Sequence, residues 1–162
     1  MASDLLTLDL AEAASSPPRS DELRALCPSD RESLAAAYLA AYPPGVAAAT
    51  LDEALQEIDD TFAGEYGELR EDLTRVAEVE GRAVGTILVV TRSIWDAELD
   101  GPFVIDLFVH PNASGRGIGR SLLDGAIACA KAAGDETLSL RIGEGTSAAA
   151  LALYGRAGFR PL

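Results

Sequence analysis

The chain has 162 residues, enough for one domain with a real core and too few for two. Hydrophobic residues make up 48% and charged residues 24%, a globular mixture, and no apolar run approaches the length needed to cross a bilayer. The formal net charge of −13 argues against a nucleic-acid partner, which needs a basic stripe to neutralise phosphates.

That charge is unevenly divided. Residues 1–80 carry 18 Asp and Glu against 5 Arg, a net of −13, whereas residues 81–162 carry 8 acids and 8 bases. An acidic half serves solubility in the simplest reading; it can also concentrate a cationic ligand. Met1-Ala2-Ser3-Asp4 lacks the basic start and apolar segment of a secretory signal. Cys27 and Cys129 are too few for a disulfide framework, so free thiols in a reducing cytoplasm are expected. No Cys, His or Asp spacing suggests a metal site.

In chain order, residues 1–21 read as a leader ending in the breaker-rich Ser15-Ser16-Pro17-Pro18-Arg19-Ser20, with the domain over 22–162. Leu5, Leu6, Leu8 and Leu10 suit either a short docking segment or a frayed terminus. Glu22–Cys27 reads as a first strand, stopped by Pro28. Ser29-x-x-Glu32 is a capping box for a helix that ends before Pro43-Pro44. Thr50-x-x-Glu53 opens a second helix, on which Leu51, Leu55, Ile58 and Phe62 recur at helical spacing up to Gly64. From Arg75 the period changes. Arg75–Glu80 and Ala83–Val90 predict a hairpin turning at Glu80-Gly81. A loop holding Trp95 leads to a strand over Phe103–His110, then a helix from about Gly117 to Ala133 with Ile118, Leu122, Leu123, Ala126, Ile127 and Ala130 on one face. Thr137–Ile142 alternates as a half-buried strand does, and a last helix runs from Ser147 to Gly158. The order βααβββαβα predicts an α/β (α+β) fold, a mixed central sheet flanked by helices.

Chemistry concentrates in Val109-His110-Pro111-Asn112-Ala113-Ser114-Gly115-Arg116-Gly117-Ile118-Gly119-Arg120. A buried strand ends at Pro111, three glycines follow at alternate positions, and an amphipathic helix starts at once. Glycines allow backbone N–H groups to converge with no Cβ in the way, and the helix start adds unpaired donors and positive partial charge. The result is an anion cradle suited to a pyrophosphate. No Lys-Ser or Lys-Thr pair follows, which excludes a P-loop, and Arg120 stands where a dinucleotide fingerprint needs its third glycine. A tight strand-to-helix turn without a ligand is the plain alternative.

The segment resembles the acetyl-CoA motif of the GCN5-related N-acetyltransferase (GNAT) superfamily, Arg/Gln-x-x-Gly-x-Gly/Ala. Gly117 and Gly119 match its small positions, whereas Ser114 replaces the leading Arg or Gln. Ala150-Leu151-Ala152-Leu153-Tyr154-Gly155-Arg156-Ala157-Gly158-Phe159 is similar to the family's closing helix motif, with Ser147 in place of its Asn. The resemblance covers about residues 22–160. It implies that Gly115, Arg116, Gly117, Ile118, Gly119 and Arg120 hold the phosphates, with Ser147 and Tyr154 nearby. It implies also that the backbone of Leu107, Phe108 and Val109 pairs with the pantetheine arm. The family's C-terminal strands look short or missing, and an uncovered sheet edge would suit a homodimer.

The implied activity is acetyl transfer from acetyl-CoA to a primary amine, small or peptide-borne; a GNAT-like module that holds a CoA ester without turnover is the alternative. Tyr154, a phenol with a reference pKa of about 10, would donate a proton to the departing thiolate, a packing role being the plain alternative. Asp106, the one carboxylate in the Phe103–His110 strand, would take the amine proton, though a solvated or capping carboxylate is an equal reading. A backbone N–H near Val109 would polarise the thioester carbonyl. Trp95 and Phe62 suit an acceptor pocket or ordinary packing, and His110 reads as surface. The acidic half favours a cationic acceptor.

Overall fold

The hairpin expected after Arg75 lies within a seven-stranded mixed sheet in the computed structural model, which describes residues 4–13, 23–143 and 145–162. The strands are β1 (Leu5–Asp9), β2 (Leu23–Arg24), β3 (Arg75–Val79), β4 (Arg82–Val90), β5 (Phe103–Val109), β6 (Thr137–Arg141) and β7 (Arg160–Pro161). Their spatial order is β2-β3-β4-β5-β6-β1-β7, with β5 and β6 parallel and the other pairs antiparallel. Glu80 and Gly81 both take positive φ, 53° and 76°, which matches a two-residue hairpin turn to the strand twist.

Helices α1 (Arg31–Ala41), α2 (Leu51–Phe62), α3 (Ile118–Ala133) and α4 (Ala148–Ala157) complete the fold. The predicted apolar face of α3 is buried: Ile118, Leu122, Leu123, Ala126, Ile127 and Ala130 pack with Leu73, Ile87 and Leu138. Leu34, Tyr38, Ala54 and Ile58 of α1 and α2 form a second core against Val76, Leu88 and Phe108. At roughly 1.5–3 kcal/mol for each large apolar side chain fully buried, these two cores dominate the favourable side of folding. Thr50 caps α2 as expected, accepting from the Glu53 N–H at 3.2 Å. The box expected at Ser29 and Glu32 is not used. Asp30 does that work instead, accepting from the Cys27 N–H at 2.9 Å and from the Arg24 guanidinium at 2.7 and 2.8 Å.

The expected leader holds a strand. Residues Leu5–Asp9 pair along their whole length with β6, from Leu5 opposite Arg141 to Asp9 opposite Thr137. Leu6, Leu8 and Leu10 enter the α3-side core while Leu5 packs on the other face with Val90 and Phe103, so the leucines follow the period of a half-buried strand. The edge of β6 that would have suited a homodimer is therefore covered by this chain's own β1, and β7 adds two residues beyond it. Ser15–Ser20 and Glu22 lie outside the described residues. Among the described residues no helix is long and apolar enough to cross a membrane.

Candidate active site

Strand β5 positions the site through two irregularities. Its pairing with β4 runs from Gly85 opposite Val109 to Leu88 opposite Asp106, then jumps to Val89 opposite Val104. Ile105 is thus an extra residue, a β-bulge. In a regular strand residues 104, 106 and 108 would share one face. Here Val104 belongs to the α3-side core, whereas Phe108 packs beside Tyr38 and Asp106 meets Tyr42. The second irregularity is a fork: β5 pairs with β6 only at Phe103–Ser139 and Val104–Leu140. Beyond Val104 the β6-facing backbone of β5 has no strand partner among the described residues, and a cleft of about 580 Å³ opens there.

The glycine-rich loop closes one end of that cleft. Gly115 and Gly117 have φ of 80° and 75°, the left-handed region that side chains with a Cβ rarely adopt, and Gly117 is the N-cap of α3. A Cβ at Gly115 would meet nothing within 4 Å, so the loop presents open space rather than packed protein. Ser121 N–H bonds Gly117 O at 3.0 Å, which leaves the N–H groups of Ile118, Gly119 and Arg120 ahead of the helical ladder. Gly115, Gly117, Ile118, Gly119 and Arg120 all line the cleft. These features fit a pyrophosphate: converging N–H donors, positive helix end, no side chain in the way.

Asp106 and Tyr154 stand at the other end. Pro43 favours an extended conformation for the residue before it, and Tyr42 accordingly leaves α1 at φ −102° and ψ 150°. Its hydroxyl donates to Asp106 Oδ1, which also accepts from the Leu107 N–H at 3.0 Å. Asp106 lies deep in the protein yet keeps some surface on the cleft. Burial raises its pKa to about 6; the Tyr42 and Leu107 bonds hold it from going higher, and the Glu57 charge pushes the same way as burial. Tyr154 is 7% exposed, edge-on to Phe159 at 5.8 Å, and lines the same cleft. Burial, then the Asp106 charge, push its phenol up to about 12. The roof is made where the α1–α2 loop meets the β6–α4 loop: a Cβ at Gly145 would sit 3.1 Å from both Tyr42 Cδ1 and Val46 Cγ1.

The structure brings together Asp106, Leu107, Phe108, Val109, Ser147 and Tyr154 with the cradle, all on one cleft. Arg116 is the exception, lining a neighbouring depression with Arg82 and His110. Both departing serines are engaged locally. Ser114 Oγ donates to Pro111 O at 2.7 Å, and Ser147 Oγ accepts from Ala150 N–H at 3.0 Å as the α4 cap. Phe62 packs in the α1/α2-side core, while Trp95 is 57% exposed. Sequence reasoning missed Tyr42 as the partner of Asp106. The signal available was its place before Pro43-Pro44, which fixes a helix end but not what the ring reaches. Among the described residues no three His, Cys, Asp or Glu side chains gather as metal ligands do.

Comparison with known proteins gives the same picture. No curated protein matches the chain. Its fold is similar to a GCN5-related N-acetyltransferase from Sphaerobacter thermophilus, with a TM-score of 0.67 and 20% identity over 98% of this chain and 47% of that one. The chain therefore spans about half the length of that relative. A GNAT family acetyltransferase from Brucella melitensis in complex with acetyl-CoA matches with a TM-score of 0.62 and 25% identity, over 86% of this chain and 85% of that one. Naa20 from Chaetomium thermophilum, in complex with a bisubstrate analogue, matches with a TM-score of 0.59 and 26% identity over 84% and 69%. The profile of the acetyltransferase (GNAT) domain matches residues 70–161, more than half of the sequence. That span holds the bulged strand, the glycine cradle and the Tyr154 helix, and the chain belongs to the GNAT acetyltransferase family.

Proposed function

We propose that this chain is an N-acetyltransferase that moves the acetyl group of acetyl-CoA onto a primary amine by direct attack, with no acyl-enzyme. One observation carries the reading: a single cleft joins a phosphate cradle, a strand edge with no strand partner among the described residues, a carboxylate and a phenol. Acetyl-CoA supplies an activated thioester, and the chain's own groups hold it and move protons. The cradle at Gly115–Arg120 holds the pyrophosphate. The edge of β5 at Leu107–Val109 pairs with the pantetheine amides, and, since Asp106 already holds the Leu107 N–H, an N–H near Val109 polarises the carbonyl.

An amine must be neutral to attack. Asp106, with a pKa near 6, is ionised for most of the molecules at neutral pH and close enough to working pH to return its proton to solvent. The amine nitrogen forms the new C–N bond, the C–S bond breaks, one proton leaves nitrogen, and one reaches sulfur. Tyr154 keeps its proton throughout the neutral range. A phenol at about 12 would give that proton uphill to a thiolate of pKa about 8.5, so its first contribution is a hydrogen bond to the growing negative charge. The two groups are coupled: neutralising Asp106 removes one of the causes that raise Tyr154, and the phenol becomes a better acid as the base is used.

The test is an amine panel scored by release of free CoA from acetyl-CoA. Release with at least one amine, over the slow hydrolytic background, is expected. Tight acetyl-CoA binding with no release for any amine would make the chain a CoA-ester-binding module.

A further inference from the structure

Past Asp106 the cleft meets a smaller cavity of about 200 Å³ to which the transfer chemistry assigns no role. Asp106 and Ile105, the bulge residue, line both spaces. The rest of the small cavity comes from α1, α2, β4 and the segments that follow α2 and β4. Besides Asp106 its polar groups are Glu57, Tyr38, Tyr66 and Thr61, whose hydroxyl donates to Glu57 O at 2.9 Å, and Ile58, Leu88 and Ile105 give it an apolar floor. Two carboxylates therefore face one confined space. Among the described residues neither forms an ion pair: Asp106 is held by Tyr42 and the Leu107 N–H, and Glu57 accepts from Tyr66 Oη at 2.9 Å. Both are met by neutral donors alone among the described residues, so a cation seated between them would supply the positive charge that the protein does not.

The mouth carries a second feature. Trp95 is 57% exposed, yet it stacks on Tyr66 with ring centroids 6.3 Å apart at 29°. Its loop is pinned: Ser93 Oγ donates to Asp96 Oδ2 at 2.8 Å, the Trp95 N–H donates to Ser93 Oγ at 3.1 Å, and Arg141 holds Asp96. An indole fixed in place and left open beside a carboxylate is the arrangement that attracts alkylammonium groups. An anionic acceptor would be repelled by both carboxylates, and a plain alkylamine would set hydrocarbon against Glu57, leaving it the Tyr66 hydroxyl but no counter-ion.

We propose that this cavity seats the second ammonium group of a diamine whose first nitrogen is acetylated beside Asp106, with Glu57 as counter-ion and the stacked Tyr66–Trp95 pair as its aromatic wall. The proposal rests on the transferase reading and names its acceptor class. The apolar floor takes the methylene spacer. The acidic half of the chain, from which Glu57 comes, adds a long-range field of the same sign.

The experiment compares putrescine and cadaverine with butylamine and pentylamine as acceptors at low salt, in the wild type, Glu57→Gln and Trp95→Ala. The diamines are expected to exceed the matched monoamines in kcat/KM by about tenfold. Glu57→Gln, which still accepts from Tyr66, is expected to bring that ratio close to one by raising the diamine KM, and Trp95→Ala to lower it part of the way. A wild-type ratio near one, or a ratio that Glu57→Gln leaves unchanged, overturns the proposal while the transferase reading stands. If no amine is acetylated, calorimetry of putrescine and cadaverine on the CoA-loaded protein decides the cavity independently. Binding that Glu57→Gln weakens about tenfold upholds the diamine seat while the transferase reading falls; no binding overturns both.

Discussion

Replacing Asp106 with Asn should stabilise the protein at neutral pH while removing its activity. In the folded chain the Asp106 carboxyl has a pKa of about 6 against an ordinary value of 3.8, chiefly because it is buried. A raised carboxyl pKa means that the folded state prefers the neutral form. The group's contribution is therefore most favourable below the unfolded value and is lost as pH rises through the folded one. That elevation puts the full cost at ~3 kcal/mol above about pH 7. At about pH 5 the same linkage leaves only about half of that cost, since much of the folded population is already protonated. An Asn keeps an oxygen to accept from Tyr42 and the Leu107 N–H but cannot ionise. Urea unfolding of wild type and Asp106→Asn, followed from about pH 5 to about pH 8, should show the variant's advantage growing by roughly 1–2 kcal/mol. A difference between the two proteins that stays constant across that range would refute the buried, ionised carboxylate and with it the general base.

The same ionisation should appear in kinetics, where log kcat/KM climbs through an inflection near pH 6 that Asp106→Asn lacks. Tyr42→Phe removes a donor to the charged form of Asp106, so that inflection should move to higher pH; an unmoved profile would show that the Tyr42 bond does not tune the base. Gly117→Val places a branched side chain at φ 75°, which should cost ~1–2 kcal/mol in stability and more than tenfold in acetyl-CoA affinity by calorimetry; normal affinity would reject the cradle. Tyr154→Phe should keep acetyl-CoA affinity and lower kcat by ~10²-fold or more, whereas lost affinity at unchanged kcat would make Tyr154 a packing residue.

Much of this was legible in residues whose neighbours in sequence are also their neighbours in space. The helix α3 face, the Thr50 cap and the Glu80-Gly81 turn follow from local periodicity and turn chemistry. Three features were not local. The bulge at Ile105 depends on which β4 residue pairs with which β5 residue, and only that register puts Asp106 on the Tyr42 face. The place of Leu5–Asp9 depends on a partner some 130 residues away, so its leucines alone could not distinguish a strand from a frayed end. Glu57 and Tyr66 are unremarkable in sequence, and Trp95 suited an acceptor pocket or ordinary packing alike; their significance arises where α2, its following turn and the pinned Trp95 loop converge on one cavity.

The central claim, that this cleft passes an acetyl group to an amine, is tested most directly by following the acetyl group itself. Acetyl-CoA labelled in its acetyl carbons is incubated with the protein and an amine mixture, and mass spectrometry then quantifies free CoA and labelled N-acetylamine in the same sample. One labelled amide for each CoA released is the predicted result, with both signals falling together in Gly117→Val. Bound acetyl-CoA that stays intact, or CoA released with no labelled amide, would contradict it.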